Sequence, residues 1–283
     1  KPGSIQETSC LHARLRILDD LPRLPKRNEA IRLLFGTEEV LAKMRIVEGG
    51  LEASLLEQGA SLLVQFRCRA PVVVSTGEHF IARTCSPVMT FGGGEILDTS
   101  EGLLQMSKNA LAMHLQKLEQ ADTGGKVIAH IHAAGTQGIS LLGLAERSNA
   151  SMPEVKAVLD KSKAVLIEDT VVVDSQAFEG LCEAAISALE KFHQQNPSDP
   201  GQNLDLFRAS CVKSCSATIV EYLIKYLGDT EKLVVTGKTI RLFKFDQNDN
   251  ISSSDRELID SIEQVYRENG ATTPSLDEVT GQD

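Results

Sequence analysis

Gly237-Lys238-Thr239 ends like a phosphate-binding loop, in which backbone amides and a lysine cradle nucleotide phosphates. That loop needs a glycine five residues before its Gly-Lys pair, and Lys232 stands there instead. The tripeptide also falls inside a hairpin pattern rather than between a strand and a helix. His130 and His132 suggest a metal pair, yet two positions apart on a helix they point in different directions. Cys211 and Cys215, four apart, would share a helix face with His193 as a distant third ligand, but the Cys-x-x-Cys pairing of structural zinc sites is absent. No serine or cysteine occupies a G-x-S-x-G elbow. The expectation is therefore no catalytic, cofactor-binding or metal-binding residue in this chain, and no enzyme activity of its own. What remains is binding. Gly92-Gly93-Gly94 lies between two apolar strand-like runs in the stretch 80–98, and residues without Cβ let a backbone pass close to a bulky partner.

The elements that hold this run are strands. Short runs of alternating or β-branched residues occur at 11–18, 29–35, 40–47, 62–69, 72–75, 79–83 and 90–97, a spacing that indicates a barrel or sandwich. In 30–35 and 42–47 basic and apolar residues take opposite faces, so Arg32, Lys43, Arg45, Arg67 and Arg69 point outward. Singly they are solvated strand faces; together they form an electrostatic footing for RNA. Turns are expected at Phe35-Gly-Thr-Glu38, Glu48-Gly-Gly-Leu51 and Ser75-Thr-Gly-Glu78.

After Asp98 the pattern becomes helical. Leu104, Leu111, Leu115 and Leu118 predict one connecting helix over 104–120. Val127, Ile128 and Ile131 share a face of the next. Ser151 and Glu154 have the spacing of a capping box, and 164–173 reads as a hairpin. Three helices and a hairpin make the winged-helix order. It then recurs: a helix over 177–195 with Leu181, Ala185, Ala188, Leu189 and Phe192 inward, helices over 204–210 and 216–227, and a hairpin turning at Gly237. A third unit begins at 255–269, with a further helix starting at Thr273; it does not close within the sequence, as in a fragment or a chain with a disordered tail. The expected organisation is a β-barrel over 1–98, a connecting helix and first winged helix over 99–174, a second over 175–247, and an incomplete third over 252–283.

Composition narrows the partners. The 283 residues carry a formal charge of −10, and residues 1–98 hold 12 basic and 12 acidic side chains, so the acidic excess belongs to the helical part. An acidic surface repels phosphate, which makes that part a poor general nucleic-acid binder. The third helices agree: 154–163 carries Glu154, Lys156, Asp160, Lys161 and Lys163, and 216–227 carries Glu221, Tyr222, Lys225 and Tyr226, neither being the Arg- and Asn-rich face of base readout. They read as spacers or protein-contact modules. Six scattered cysteines fit a reducing compartment, and no apolar run reaches bilayer length, so a cytoplasmic location is expected.

Phe80-Ile-Ala-Arg83 followed by Thr90-Phe-Gly-Gly-Gly94 resembles the end of the third domain of elongation factor Tu. The form Ser86-Pro-Val-Met-Thr-Phe-Gly-Gly-Gly-Glu-Ile-Leu-Asp98, followed by tandem winged helices, is similar to the bacterial selenocysteine-specific elongation factors of the SelB family. The resemblance implies the middle of a GTP-dependent factor that delivers selenocysteinyl-tRNA to the ribosome at recoded UGA codons. GTP and magnesium would be handled in domains before Lys1, and an mRNA hairpin would be bound by a last winged helix after Asp283. It also implies tRNA contact near the glycine run, carried over to Arg83, Thr90, Gly92 and Gly94. Met89 stands where the Tu motif has arginine and Gly93 where it has alanine. A winged-helix DNA-binding regulator with a barrel sensor is the reading from another class, and an adaptor that binds neither nucleic acid is a third.

Overall fold

The structure is a computed structural model that describes residues 7–26, 29–47, 56–213, 215–245 and 253–269. The expected turn at Glu48-Gly-Gly-Leu51 and the helix start at Thr273 lie outside them. Alternating side chains build six antiparallel strands: β1 (Thr8–Ile17), β2 (Ala30–Phe35), β3 (Glu38–Ile46), β4 (Ser61–Val72), β5 (His79–Cys85) and β6 (Val88–Asp98). They close as a barrel in the order β1-β4-β3-β2-β5-β6, which leaves no unpaired sheet edge. Along β2, Ile31, Leu33 and Phe35 point into the barrel while Arg32 and Leu34 take the outer face. Phe66 meets Phe80 edge to face at 5.3 Å in the interior. Lys43, Arg45, Arg67 and Arg69 are exposed on the outer face as the alternation requires, and Arg32 is half-buried there.

Two local readings change. Runs 62–69 and 72–75 are not separate strands, because β4 continues to Val72. Pro71, which has no amide hydrogen, sits in the stretch where the ladder to β1 shifts register, so no ladder bond is lost to it. The helix expected over 104–120 is broken: a 3-10 turn at Glu101–Gln105 ends at Met106, and α1 (Lys108–Gln120) starts afresh. Ser107 is extended, and its hydroxyl accepts from the Ala110 amide at 3.3 Å, an N-cap that competes with helix continuation.

The first winged helix comprises α2 (Thr123–Ala134), β7 (Ile139–Ser140), α3 (Leu141–Ser148), α4 (Met152–Leu159), β8 (Val165–Ile167) and β9 (Val171–Val173), with sheet order β7-β9-β8. The capping box at α4 is formed, with the Ser151 amide donating to Glu154 at 2.8 Å. Then α5 (Ser175–Gln195) leads to β10 (Gln202–Asn203), α6 (Leu204–Val212), α7 (Ala217–Asp229), β11 (Leu233–Thr236) and β12 (Thr239–Leu242). Their sheet order, β10-β12-β11, repeats the first layout: the strand before the second helix pairs with the far strand of the wing. On α5, Ala188 is exposed and His193 is buried in its stead. A last helix, α8, spans Ser253–Asn269. The chain forms two compact units, Lys1–Glu179 with the barrel and first winged helix, and Gly180–Asp283 with the second winged helix and α8.

Candidate nucleic-acid interface

The glycine run closes the barrel. Gly92 and Gly94 pair with Ile17 and Leu15 of β1 on one side and with Ala82 and Phe80 of β5 on the other. A Cβ on Gly92 would lie 2.5 Å from the Arg16 carbonyl oxygen, and one on Gly94 would overlap the Arg14 carbonyl. Only glycine lets β6 approach β1 this closely. The bulky partner expected from the sequence is therefore, in this structure, the barrel's own first strand.

Two irregularities in β6 decide which side chains face outward. The register slips between Ala82 and Arg83, leaving Phe91 as an extra residue; Phe91 and Gly92 both turn inward, and Thr90 comes opposite Arg83 on the outside. A second slip, between His12 and Ala13, lets Leu97 and Asp98 both serve the outer face.

Outside the first slip, Arg83 Nε donates to Thr90 Oγ1 at 3.1 Å. Arg83 also pairs with Arg32 of β2, but the Arg32 charge is taken by Glu39 in an ion pair. Among the described residues Arg83 makes no ion pair, so its charge is open on this face. Next to it, Arg23 donates to both oxygens of Glu29 at 3.0 and 2.8 Å and to the Ser86 carbonyl at 3.0 Å, tying the loop before β2 to the turn before β6. Met89 packs against the barrel core, which is the physical meaning of its replacing an arginine: it supplies no phosphate donor. Further round, Lys43 and Arg67 sit directly opposite each other across β3 and β4. Like charges so placed repel, and a bound anion relieves that repulsion. The barrel thus offers guanidinium, ammonium and hydroxyl donors on an outer β face, the donors that hold phosphate oxygens.

The second slip makes a site that sequence reasoning missed. Asp98 is wholly buried where β6, α1, α2 and α3 meet. Arg147 of α3 grips it at two points, Nε to Oδ1 at 3.0 Å and Nη2 to Oδ2 at 2.7 Å, and the Ser100 amide donates to Oδ1 at 2.9 Å. Burial is the largest influence and opposes the carboxylate, but the Arg147 charge, the two histidines and the Arg147 hydrogen bonds together outweigh it and hold the carboxyl well below the ordinary range. His130 of α2 and His114 of α1 stand 3.4 and 3.6 Å from Oδ2. Burial pushes His130 down to about 4 against the pull of Asp98, and lowers His12 in the same way, so both rings are neutral near pH 7. Leu63, Leu97, Leu111, Leu115 and Leu118 pack around this junction, and Arg14 fastens α1 to β1 through Glu119 at 2.6 Å.

The other candidate groups are not brought together. His130 and His132 diverge as expected, the latter donating from Nδ1 to Asp174 at 2.5 Å. Cys215 donates to the Cys211 carbonyl, while His193 stacks on Phe245 at 3.6 Å and accepts from the Leu242 amide. Gly237 lies in the tight turn between β11 and β12. On the third helices, Glu154, Lys156 and Lys225 are exposed, and Glu221 is paired with Arg208.

The fold is of one class: a closed six-stranded antiparallel barrel followed by tandem winged helices. The comparisons agree with it. Residues 186–242 match the family described as "Elongation factor SelB, winged helix". A selenocysteine-specific elongation factor from Desulfomicrobium baculatum is 24% identical over 234 residues, covering 79% of this chain and 34% of that protein. The crystal structure of a bacterial selenocysteine-specific elongation factor, EF-Sec, superposes with a TM-score of 0.62 over 100% of this chain and 41% of that one, at 18% identity, a likeness of fold. The chain is thus similar to SelB selenocysteine-specific elongation factors, most specifically over residues 186–242, and spans about a third of the curated relative it matches. No helix among the described residues is long and apolar enough to cross a membrane.

Proposed function

We propose that this chain is a binding and positioning segment of a GTP-dependent elongation factor that carries selenocysteinyl-tRNA to the ribosome. The observation that carries the reading is the Arg83–Thr90 pair: one open guanidinium and its hydroxyl partner on the outer face, set there by the slip in β6. Arg83 and Thr90 hold a phosphate of the tRNA T stem, and Gly92 and Gly94, which face inward, contribute by fixing the strand that presents them. Lys43, Arg45, Arg67 and Arg69 supply further contacts, each weakened by salt. The winged helices act as a spacer toward an mRNA-hairpin-binding domain, and their acidic surface keeps them off the RNA they span. GTP and magnesium belong to other domains of the factor, and the work is cytoplasmic.

The test is binding of the chain to a selenocysteine-tRNA T-stem duplex across a salt series, against duplex DNA. Binding should favour the RNA, and Arg83→Ala should weaken it and reduce the slope of log K against log salt by about one. Equal affinity for duplex DNA, or an unchanged slope in Arg83→Ala, would remove the assignment.

A further inference from the structure

Asp98 Oδ2, His114 Nε2 and His130 Nδ1 converge from β6, α1 and α2, all within 4.8 Å of one another. Asp98 and His130 are fully buried and His114 is 6% exposed. Neither imidazole nitrogen has a hydrogen-bond partner, a costly condition for a buried polar atom. The other nitrogen of His130 sits 3.2 Å from the Arg147 carbonyl oxygen. A carbonyl only accepts, so Nε2 carries a hydrogen and donates it there, and Nδ1 is the ring atom turned toward the Asp98 carboxylate oxygen. The two atoms face each other at 3.4 Å with no hydrogen bond between them, a spacing that a shared metal ion fits.

The spacing suits a particular cation. Ligands about 2.0–2.1 Å from a tetrahedral zinc ion stand roughly 3.3–3.4 Å apart, close to the 3.4 and 3.6 Å found from Oδ2 to the two nitrogens. Two imidazoles and a carboxylate are ligands that zinc-type ions accept, and a histidine ligand held by a backbone carbonyl through its second nitrogen is the usual supporting contact. His114 also lines a groove of about 580 Å³ between α1 and α2, so one edge of the cluster borders an open space. We infer that Asp98, His114 and His130 bind a divalent transition-metal ion of the zinc type, one ion joining the last barrel strand to the first two helices of the arm. Arg147 is a positioning residue, turning Oδ2 toward the histidines; its charge also makes the site weaker than one built from thiolates.

The full chain, stripped with EDTA, is titrated with zinc chloride by calorimetry and with cobalt(II) chloride by visible absorption. One ion per chain, a cobalt spectrum of nitrogen and oxygen ligation, and a thermal midpoint raised by zinc are expected. His114→Gln and His130→Gln should each weaken binding by on the order of tenfold or more with circular dichroism unchanged, whereas Cys211→Ser/Cys215→Ser should bind as before. No saturable uptake, or uptake that survives both histidine substitutions, overturns the inference. Should a histidine variant not fold, the cobalt spectrum of the unaltered chain decides: thiolate charge-transfer bands place the ion on cysteine and overturn it as well.

Discussion

Arg147 of α3 and Asp98 of β6 are joined at two points, with the carboxylate wholly buried and the guanidinium largely so. A two-point contact between planar groups fixes orientation as well as distance, so this pair sets how the first winged helix meets the barrel.

Removing one partner of a buried pair strands the other. Arg147→Met should cost about 3–5 kcal/mol in urea unfolding, because Asp98 would be left charged in the core. Arg208→Ala, which breaks the exposed pair with Glu221, should cost less than about 1 kcal/mol. Comparable losses for the two variants would show that the junction finds its support elsewhere.

Glycine substitutions separate closure from mere occupancy. Gly94→Ala must push β6 off β1, since the new methyl would overlap the Arg14 carbonyl, and should destabilise by several kcal/mol or prevent folding. Gly180, exposed within α5 and with nothing within 4 Å of a new Cβ, should instead gain up to about 1 kcal/mol as alanine. Thermal midpoints of the two variants against the parent decide the point; a tolerated Gly94→Ala would mean the seam is looser than it looks.

What the sequence discloses here follows range of interaction. The alternation in 30–35, the capping box at Ser151 and Glu154, and the turn at Gly237 are local patterns, and each forms as its residues dictate. The break at Ser107 was hidden because leucine periodicity runs straight across it, while the deciding feature is one hydroxyl on one amide. The glycine run announces a close approach without naming the neighbour, since β1 lies some 80 positions earlier. Least legible is the Asp98 junction. Its partners at 114, 130 and 147 come from three helices, and Asp98 joins the outer face beside Leu97 only through a slip in strand register. No spacing in the sequence encodes that slip.

Thiol reactivity reports on the barrel wall. Burial pushes Cys10 up to about 12 and Cys68 up to about 11, so little thiolate exists at pH 8. Both should react with iodoacetamide far more slowly in the native protein than in urea, as read by mass spectrometry of quenched samples. Native labelling of Cys10 at the unfolded rate would contradict its burial in β1.

Glu29 should mark the acid limit of the loop beside Arg83. Hydrogen bonds from Arg23, then from the Lys26 amide, hold its carboxyl down to about 2. The folded value lies below the unfolded one of about 4.3, so the stabilisation is fully present above about pH 4.3 and is lost as pH falls through the folded value. Glu29→Gln removes that contribution at every pH. The difference in urea midpoint between parent and variant should therefore be largest near pH 7, shrink below about pH 4.3, and vanish near pH 2. A difference that grows on acidification would mean that Glu29 is held in its protonated form, and that Arg23 answers to some other acid.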